Sequence, residues 1–409
     1  MILMIVKSVA LLGHKDHGKS TLIGSMLMQT GAATQARIRE AEMYSKRMHK
    51  PFEPAFILDS FAEERLGEMT FDTTRAEIKH NGLAFALIDV PGHEELIKNM
   101  ISGASYGEIA LLLVSAKQDE GVRDQTKRHL FISRMLGIDR LIVAVNKMDT
   151  VGYSQERFED VERELSRFIF KIGFAKQNVH FVPISAYKGE NLVKKSQKIK
   201  WYRGRPLIDV LYDEARKGGK KHEGALRIIT QGTISGDKGE LIVGRVVNGS
   251  VSVGERISVL PLGSNATVEG IVVKGKKVRT GVIGENVALA LDRVIDGELR
   301  GSVIASSANK PELKDKIKLK IFVTGRFGKR TLARFNGTEI ACKSVKILHD
   351  IDTTTGEIVR TKKAKPLEAV EAEVRLVRKV PVESYDVTRE LGRFVLYSDS
   401  KFAGIGTLD

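Results

Sequence analysis

The sequence predicts a doubly wound α/β domain, built on a mostly parallel sheet, followed by β-barrel structure. Three observations carry that reading. Over residues 1–219 short apolar runs alternate with helical patterns, the signature of strands crossed over by helices. From Gly224 onward the chain turns to short β-branched runs separated by glycine, the spacing of small barrels. Between the first apolar run and the first helical pattern stands Gly13-His14-Lys15-Asp16-His17-Gly18-Lys19-Ser20-Thr21. Its form, glycine, four residues, then Gly-Lys-Ser, is that of a phosphate-binding loop.

The apolar runs of the first region lie at residues 8–12, 84–89, 109–116, 141–145 and 179–184. Several are apolar throughout, as strands covered on both faces must be. Helical patterns occupy residues 124–136 and 155–172. The opening Met1-Ile2-Leu3-Met4-Ile5-Val6 reads as a buried first strand rather than a secretion signal. It has no basic lead, Lys7 interrupts it, and the glycine loop follows at once. A linker is expected at Gly218-Gly219-Lys220-Lys221-His222 and a second boundary at Pro311. Barrel strands are expected at residues 241–247, 251–254, 256–260, 268–273 and 287–291, then at 316–324, 339–348, 369–376 and 393–396. The expected domains are therefore residues 1–219, 220–308 and 309–409.

Composition narrows the class. Of 409 residues, 42% are hydrophobic and 29% charged, an ordinary balance for a water-soluble chain. No apolar run approaches the roughly 18 residues that a membrane-spanning helix needs. The lone Cys342 excludes an intrachain disulfide framework and fits a reducing cytoplasm. The net charge of +15 favours a polyanionic partner such as nucleic acid.

Each chemistry-bearing motif follows an apolar run, where ligands of doubly wound sheets bind. In the glycine loop, Gly13 and Gly18 let backbone N–H groups converge on one cavity, and the following helix N-terminus favours an anion. Lys19 reaches the β- and γ-phosphates, and the Ser20 hydroxyl is placed for Mg²⁺. Asp89 ends a run and is placed to hold Mg²⁺, and Gly92 to offer its N–H to a γ-phosphate. In Asn146-Lys147-Met148-Asp149 the aspartate can accept from guanine N1–H and its amine, while Lys147 lies along the base plane. Ser185-Ala186 is placed to give a backbone N–H to guanine O6. Together, in this order, the four motifs specify GTP and GDP.

With these motifs the chain resembles the translation-factor GTPases of the elongation factor 1-alpha and elongation factor Tu group. The matching residues are the glycine loop, Asp89-Val90-Pro91-Gly92-His93, Lys98-Asn99-Met100-Ile101-Ser102-Gly103-Ala104-Ser105, Gln125-Thr126 and residues 136–149. In the barrel region they are residues 238–249, Gly284-Glu285-Asn286-Val287 and Arg300-Gly301-Ser302. Glu339-Ile340-Ala341-Cys342-Lys343 and Leu391-Gly392-Arg393-Phe394-Val395 continue the match more loosely. The resemblance implies a GTP-binding G domain and two β-barrels. It also implies that His93 orients the attacking water, that Thr70 binds Mg²⁺ and senses the γ-phosphate, and that Asp16 helps hold a monovalent cation. The partner it implies is RNA-containing, a tRNA at the ribosome or a protein that mimics tRNA, met by a GTPase that is a monomer when free.

Two departures bear on hydrolysis. The third loop residue is Lys15 where elongation factor Tu has an apolar valine beside the catalytic histidine. Glu68 replaces the usual glycine of switch I in Leu66-Gly67-Glu68-Met69-Thr70-Phe71-Asp72. A competing resemblance, to the GTPase subunit of sulfate adenylyltransferase, rests on residues 70–74, 153–158, 194–196 and 200–204. A GTP-binding interaction protein with vestigial hydrolysis is a third reading. Basic clusters stand at Lys194, Lys195, Lys198 and Lys200, at Lys274, Lys276, Lys277 and Arg279, and at Arg360, Lys362, Lys363 and Lys365. Each is a candidate phosphate contact and equally a solvated hairpin.

Overall fold

The computed structural model describes residues 6–58, 75–89, 109–217, 224–236, 239–328, 330–359, 366 and 368–408. It divides into two compact units. The first comprises Met1–Gly219 and Thr353–Gly356, the second Lys220–Asp352 and Glu357–Asp409.

The first unit is a six-stranded sheet with helices. In chain order its elements are β1 (Val6–Leu12), α1 (Lys19–Gln29), α2 (Gln35–Arg47), β2 (Arg75–His80), β3 (Leu83–Asp89), β4 (Ile109–Ser115), α3 (Asp124–Met135), β5 (Arg140–Asn146), α4 (Gln155–Lys171), β6 (Val179–Pro183) and α5 (Leu207–Arg216). The strand order is β2-β3-β1-β4-β5-β6, and only the edge strand β2 runs antiparallel. β4 and β5 are buried at every position, which is why they read as unbroken apolar runs. Register brings the carboxyl ends level: Leu11 pairs with Asp89 and with Leu111, Ser115 with Asn146, and Val145 with Pro183. The loops after β1, β4, β5 and β6 therefore open on one edge of the sheet. Leu22, Ile23 and Met26 of α1 are fully buried in the core against this sheet, which anchors the helix that follows the glycine loop.

The second unit holds two barrels. The first is formed by β7 (Arg227–Gly236), β8 (Gly239–Asn248), β10 (Arg256–Leu260), β11 (Ser264–Val273), β14 (Asn286–Leu291) and β15 (Val303–Ser306). Its order β10-β15-β7-β8-β14-β11 is closed by pairing of β10 with β11, with β12 (Lys276–Val278) added to β11. A two-stranded ribbon of β9 (Ser250–Ser252) and β13 (Thr280–Val282) completes it. The second barrel uses β16 (Glu312–Val323), β17 (Thr331–Phe335), β18 (Thr338–Ile351), β20 (Ala369–Val382), β21 (Arg393–Ser398) and β22 (Lys401–Thr407), with a short helix α6 (Arg389–Gly392). Its order β17-β21-β22-β16-β20-β18 is closed by β17 with β18, and β19 (Ile358–Val359) extends β18. Closure leaves few open edges, which is how short antiparallel strands become stable. The barrels are tied by Arg227, 1% exposed, whose Nε donates to Glu383 Oε1 at 2.9 Å and whose guanidinium also reaches the Asn309 carbonyl at 2.8 Å. A buried arginine with this many acceptors is matched; removing Glu383 would leave the charge stranded.

Several elements escaped the sequence reading. β2 carries Ala76 and Ile78 inward and Glu77 outward, a polar alternation of an exposed edge. β22 contains Gly404 and Gly406, which argue against a strand in isolation. A Cβ on Gly404 would lie 2.6 Å from the Phe322 carbonyl, so close packing on β16 requires glycine there. The cluster Lys274, Lys276, Lys277 and Arg279 sits on the β11–β12 hairpin and just after it. Arg360, Lys362, Lys363 and Lys365 lie outside the described residues. Among the described residues no helix is long and apolar enough to cross a membrane.

Candidate nucleotide site

The glycine loop leaves β1 through Gly13, turns through a short 3-10 segment at Lys15–His17, and enters α1 through Gly18. Gly13 has φ +138° and Gly18 φ +90°, regions that L side chains rarely adopt. Space makes the same demand. A Cβ on Gly13 would sit 2.6 Å from the Leu113 carbonyl, and one on Gly18 would sit 2.7 Å from Asn146 Nδ2. Lys19 is buried, and its Nζ donates to the Gly13 carbonyl at 2.8 Å and the His14 carbonyl at 3.3 Å. Its ammonium is thus held over the loop, while Ser20 opens to solvent in the first turn of α1 and Thr21 is half-buried.

His17 supports the loop from beneath. Its ring is buried, and Nδ1 lies 3.0 Å from the Leu113 carbonyl, so Nδ1 carries the proton and donates. Burial, against the pull of that carbonyl, lowers its pKa and keeps the ring neutral. His14 is half-buried and accepts from the Asp16 N–H at 3.4 Å, whereas the Lys15 and Asp16 side chains are exposed.

Asn146 joins three loops. Its Nδ2 donates to the His17 carbonyl at 2.8 Å, and its Oδ1 accepts from the Ala186 N–H at 2.8 Å. Ser185 Oγ donates to Asp149 Oδ1 at 2.5 Å, and Ser185 N–H donates to the Glu190 carbonyl. The N–H groups of Ser185 and Ala186, a pair expected to offer one N–H to guanine O6, are both engaged within the protein. In this geometry the pair holds Asn146 and Asp149 in place. Ser25 Oγ of α1 donates to the Ala186 carbonyl at 2.5 Å, fastening the same loop to the helix behind the glycine loop.

Glu120 was not singled out from sequence. Lys147 has φ +63°, and its Nζ donates to Glu120 Oε2 at 2.6 Å. Burial raises the Glu120 pKa, but the Lys147 ammonium and the Ser115 hydroxyl outweigh it and hold the carboxyl at about 2. Glu120 stands 27 residues from Lys147, and no local pattern announces the pair. Asp89 ends β3 beside Leu11, which puts its backbone at the mouth of the glycine loop. Thr70, Gly92 and His93 lie outside the described residues.

Comparison with known proteins bears directly on this arrangement. The elongation factor Tu GTP binding domain matches residues 5–217, and the GTP-eEF1A C-terminal domain-like family matches residues 324–409. Elongation factor 1-alpha of Aeropyrum pernix is 32% identical over 416 residues, covering 98% of this chain and 95% of the relative. The chain belongs to the elongation factor Tu and 1-alpha family of GTPases. Elongation factor 1-alpha of Saccharolobus solfataricus is likewise 32% identical, over 98% of this chain and 96% of its own length. A solved structure of sup35 complexed with GDP aligns over 99% of this chain and 94% of that chain, at 22% identity and a TM-score of 0.42. As a member of this GTPase family the chain binds GTP and hydrolyses it to GDP and phosphate.

Proposed function

We propose that this GTPase is a translation factor of the elongation factor 1-alpha type, or a specialised paralogue, that acts with tRNA or a tRNA-shaped protein at the ribosome. The observation that carries the reading is the match to elongation factor 1-alpha over 98% of the chain, barrels included, in a molecule of net charge +15. A partner rich in phosphate suits such a charge. We assign the G domain to residues 1–219 and the barrels to residues 220–308 and 309–409, in a cytoplasmic protein that is monomeric when free.

Within the G domain, Gly13, His14, Lys15, Asp16, His17, Gly18, Lys19, Ser20 and Thr21 surround the phosphates. The glycine cradle suits that role, since a Cβ at either glycine would fill it. Lys19 moves from the loop carbonyls to the β- and γ-phosphates, and Gly92 donates to the γ-phosphate. Ser20, Thr70 and Asp89 would hold Mg²⁺, which when bound neutralises charge on the phosphate oxygens. Asn146, Lys147 and Asp149, braced by Ser185 and Ala186, select guanine, and His93 positions the attacking water.

The test is GTP turnover by wild type and by His93→Ala, with ribosomes and with a sulfurylase subunit plus ATP and sulfate, at low and high salt. Stimulation by ribosomes that falls steeply with salt is expected, with His93→Ala lowering it by roughly 10²–10³ and leaving GTP binding intact. Stimulation by the sulfurylase alone would replace this reading with a sulfate-activating one. Stimulation by neither, with no difference between wild type and variant, would leave a vestigial switch.

A further inference from the structure

Two loops carry the residues assigned to the base. One is the turn after β5, which holds Asp149 and runs on to Tyr153, whose N–H donates to the Met148 carbonyl at 2.8 Å. The other follows β6 and holds Ser185 and Ala186. It is closed at its foot by a two-way backbone pair. Ser185 N–H donates to the Glu190 carbonyl at 3.2 Å, and Glu190 N–H donates to the Ser185 carbonyl at 3.0 Å. Whatever holds Glu190 therefore holds Ser185, whose hydroxyl fixes Asp149.

The Glu190 side chain is gripped from outside the loop. Its Oε2 accepts from Ser196 Oγ at 2.6 Å, and its Oε1 accepts from Lys198 Nζ at 2.9 Å. Both donors lie in residues 194–200, a segment pinned by buried Ser196 and Ile199. Burial pushes the Glu190 carboxyl up, but the Ser196 hydroxyl and the Lys198 ammonium outweigh it and hold it below the usual carboxylate range. The same ammonium lies 5.6 Å from the centre of the Tyr153 ring. Tyr153 is itself fixed by Trp201, whose indole N–H donates to its carbonyl at 2.8 Å. Lys198 thus meets both loops at once. Within the basic cluster of this segment it is a structural cation rather than a free phosphate contact.

We propose that Glu190, latched by Ser196 and Lys198, is a positioning residue for guanine: it holds Ser185 so that Ser185 sets the Asp149 carboxylate against the base. An exposed lysine–carboxylate pair is worth little by itself. This one counts through what it joins, a loop foot on one side and the Asp149 turn on the other. Without the latch the strands and the glycine loop stay as they are, and the freedom gained falls on Asp149. The cost is therefore paid at the base edge and not at the phosphates. The latch rests on the assignment of Asn146, Lys147 and Asp149 to guanine, since it acts only through Asp149.

The experiment measures, on the full chain, Kd for GDP and for inosine diphosphate, whose base lacks the exocyclic amine, together with the GDP dissociation rate. Wild type should prefer GDP by at least about tenfold, the worth of one hydrogen bond to a charged acceptor. Glu190→Gln should narrow that preference by about three- to fivefold and speed GDP release to a similar degree. Lys198→Ala should do the same, and the double variant should do no more than the stronger single, because the two act through one contact. Lys198→Arg, which keeps the ion pair, should restore the preference. Asp149→Asn is the control for the base assignment and should abolish the preference. Abolition there, with an unchanged preference in both Glu190→Gln and Lys198→Ala, would overturn the latch alone. Equal losses of GDP and inosine diphosphate affinity in Glu190→Gln would overturn it too, by marking a contact that supports the fold and not the base. A preference unmoved even by Asp149→Asn would overturn the guanine assignment and the latch with it.

Discussion

The two halves of the nucleotide site are built differently. On the base side, side chains hold one another: Asn146 bridges His17 and Ala186, Ser185 holds Asp149, and Glu120 holds Lys147. On the phosphate side the work falls to backbone, to two glycines at positive φ, and to a lysine resting on loop carbonyls. The flanking Lys15, Asp16 and Ser20 are exposed. The difference suits the ligand that each half is proposed to face. A phosphate is recognised by any set of converging N–H groups, which backbone provides. A base edge is recognised by particular donors and acceptors, which only fixed side chains provide.

That contrast can be broken at three points. Gly13→Ala should do the most damage, because its Cβ would meet a backbone carbonyl that cannot move aside, at a φ that alanine resists. A stability loss of at least about 4 kcal/mol in urea unfolding is expected, together with loss of measurable GDP binding. Wild-type unfolding and affinity in this variant would contradict the backbone account of the phosphate side.

Asn146→Ala should come next. It leaves the His17 carbonyl and the Ala186 N–H without their partner in the interior, at a cost of about 3 kcal/mol. Because Asn146 also fastens the glycine loop, GDP affinity should fall with stability. A variant that loses affinity at unchanged stability would show that Asn146 acts on the base alone.

The smallest effect belongs to Glu120. Its carboxyl is held at about 2, below the ordinary 4.5, so the folded state favours the charged form. The stabilisation is complete above pH about 4.5 and is lost as pH falls through about 2. Glu120→Gln should remove that acid-side loss and lower GDP affinity only a few-fold, since Lys147 keeps its place in the chain. The measurement is unfolding free energy against pH for both proteins, and parallel curves between pH 2 and 5 would dismiss the pair as an energetic contributor.

Legibility followed range. The strands of the first unit stand out because burial on both faces makes them apolar without a break: the expected residues 109–116 overrun β4 by one residue at its end, and 141–145 falls one residue short of β5 at each end. The edge strand β2 and the glycine-bearing β22 did not stand out. One is polar on its open side, and the other is shaped by a neighbour that approaches too closely for a side chain. The motif loops were each visible, but their connections were not.

The sequence by itself determined the order of α/β and barrel segments, the glycine loop, and the residue types that follow each strand. These depend on side-chain periodicity and on glycine placement, both properties of neighbouring residues. Only the tertiary structure decided that Asn146 would meet His17, 129 residues away, and Ala186, 40 away. It alone turned the Ser185 and Ala186 N–H groups inward and paired Glu120 with Lys147. Those contacts depend on strand order and register, which bring distant loops to the same edge of a sheet and have no counterpart in any local pattern.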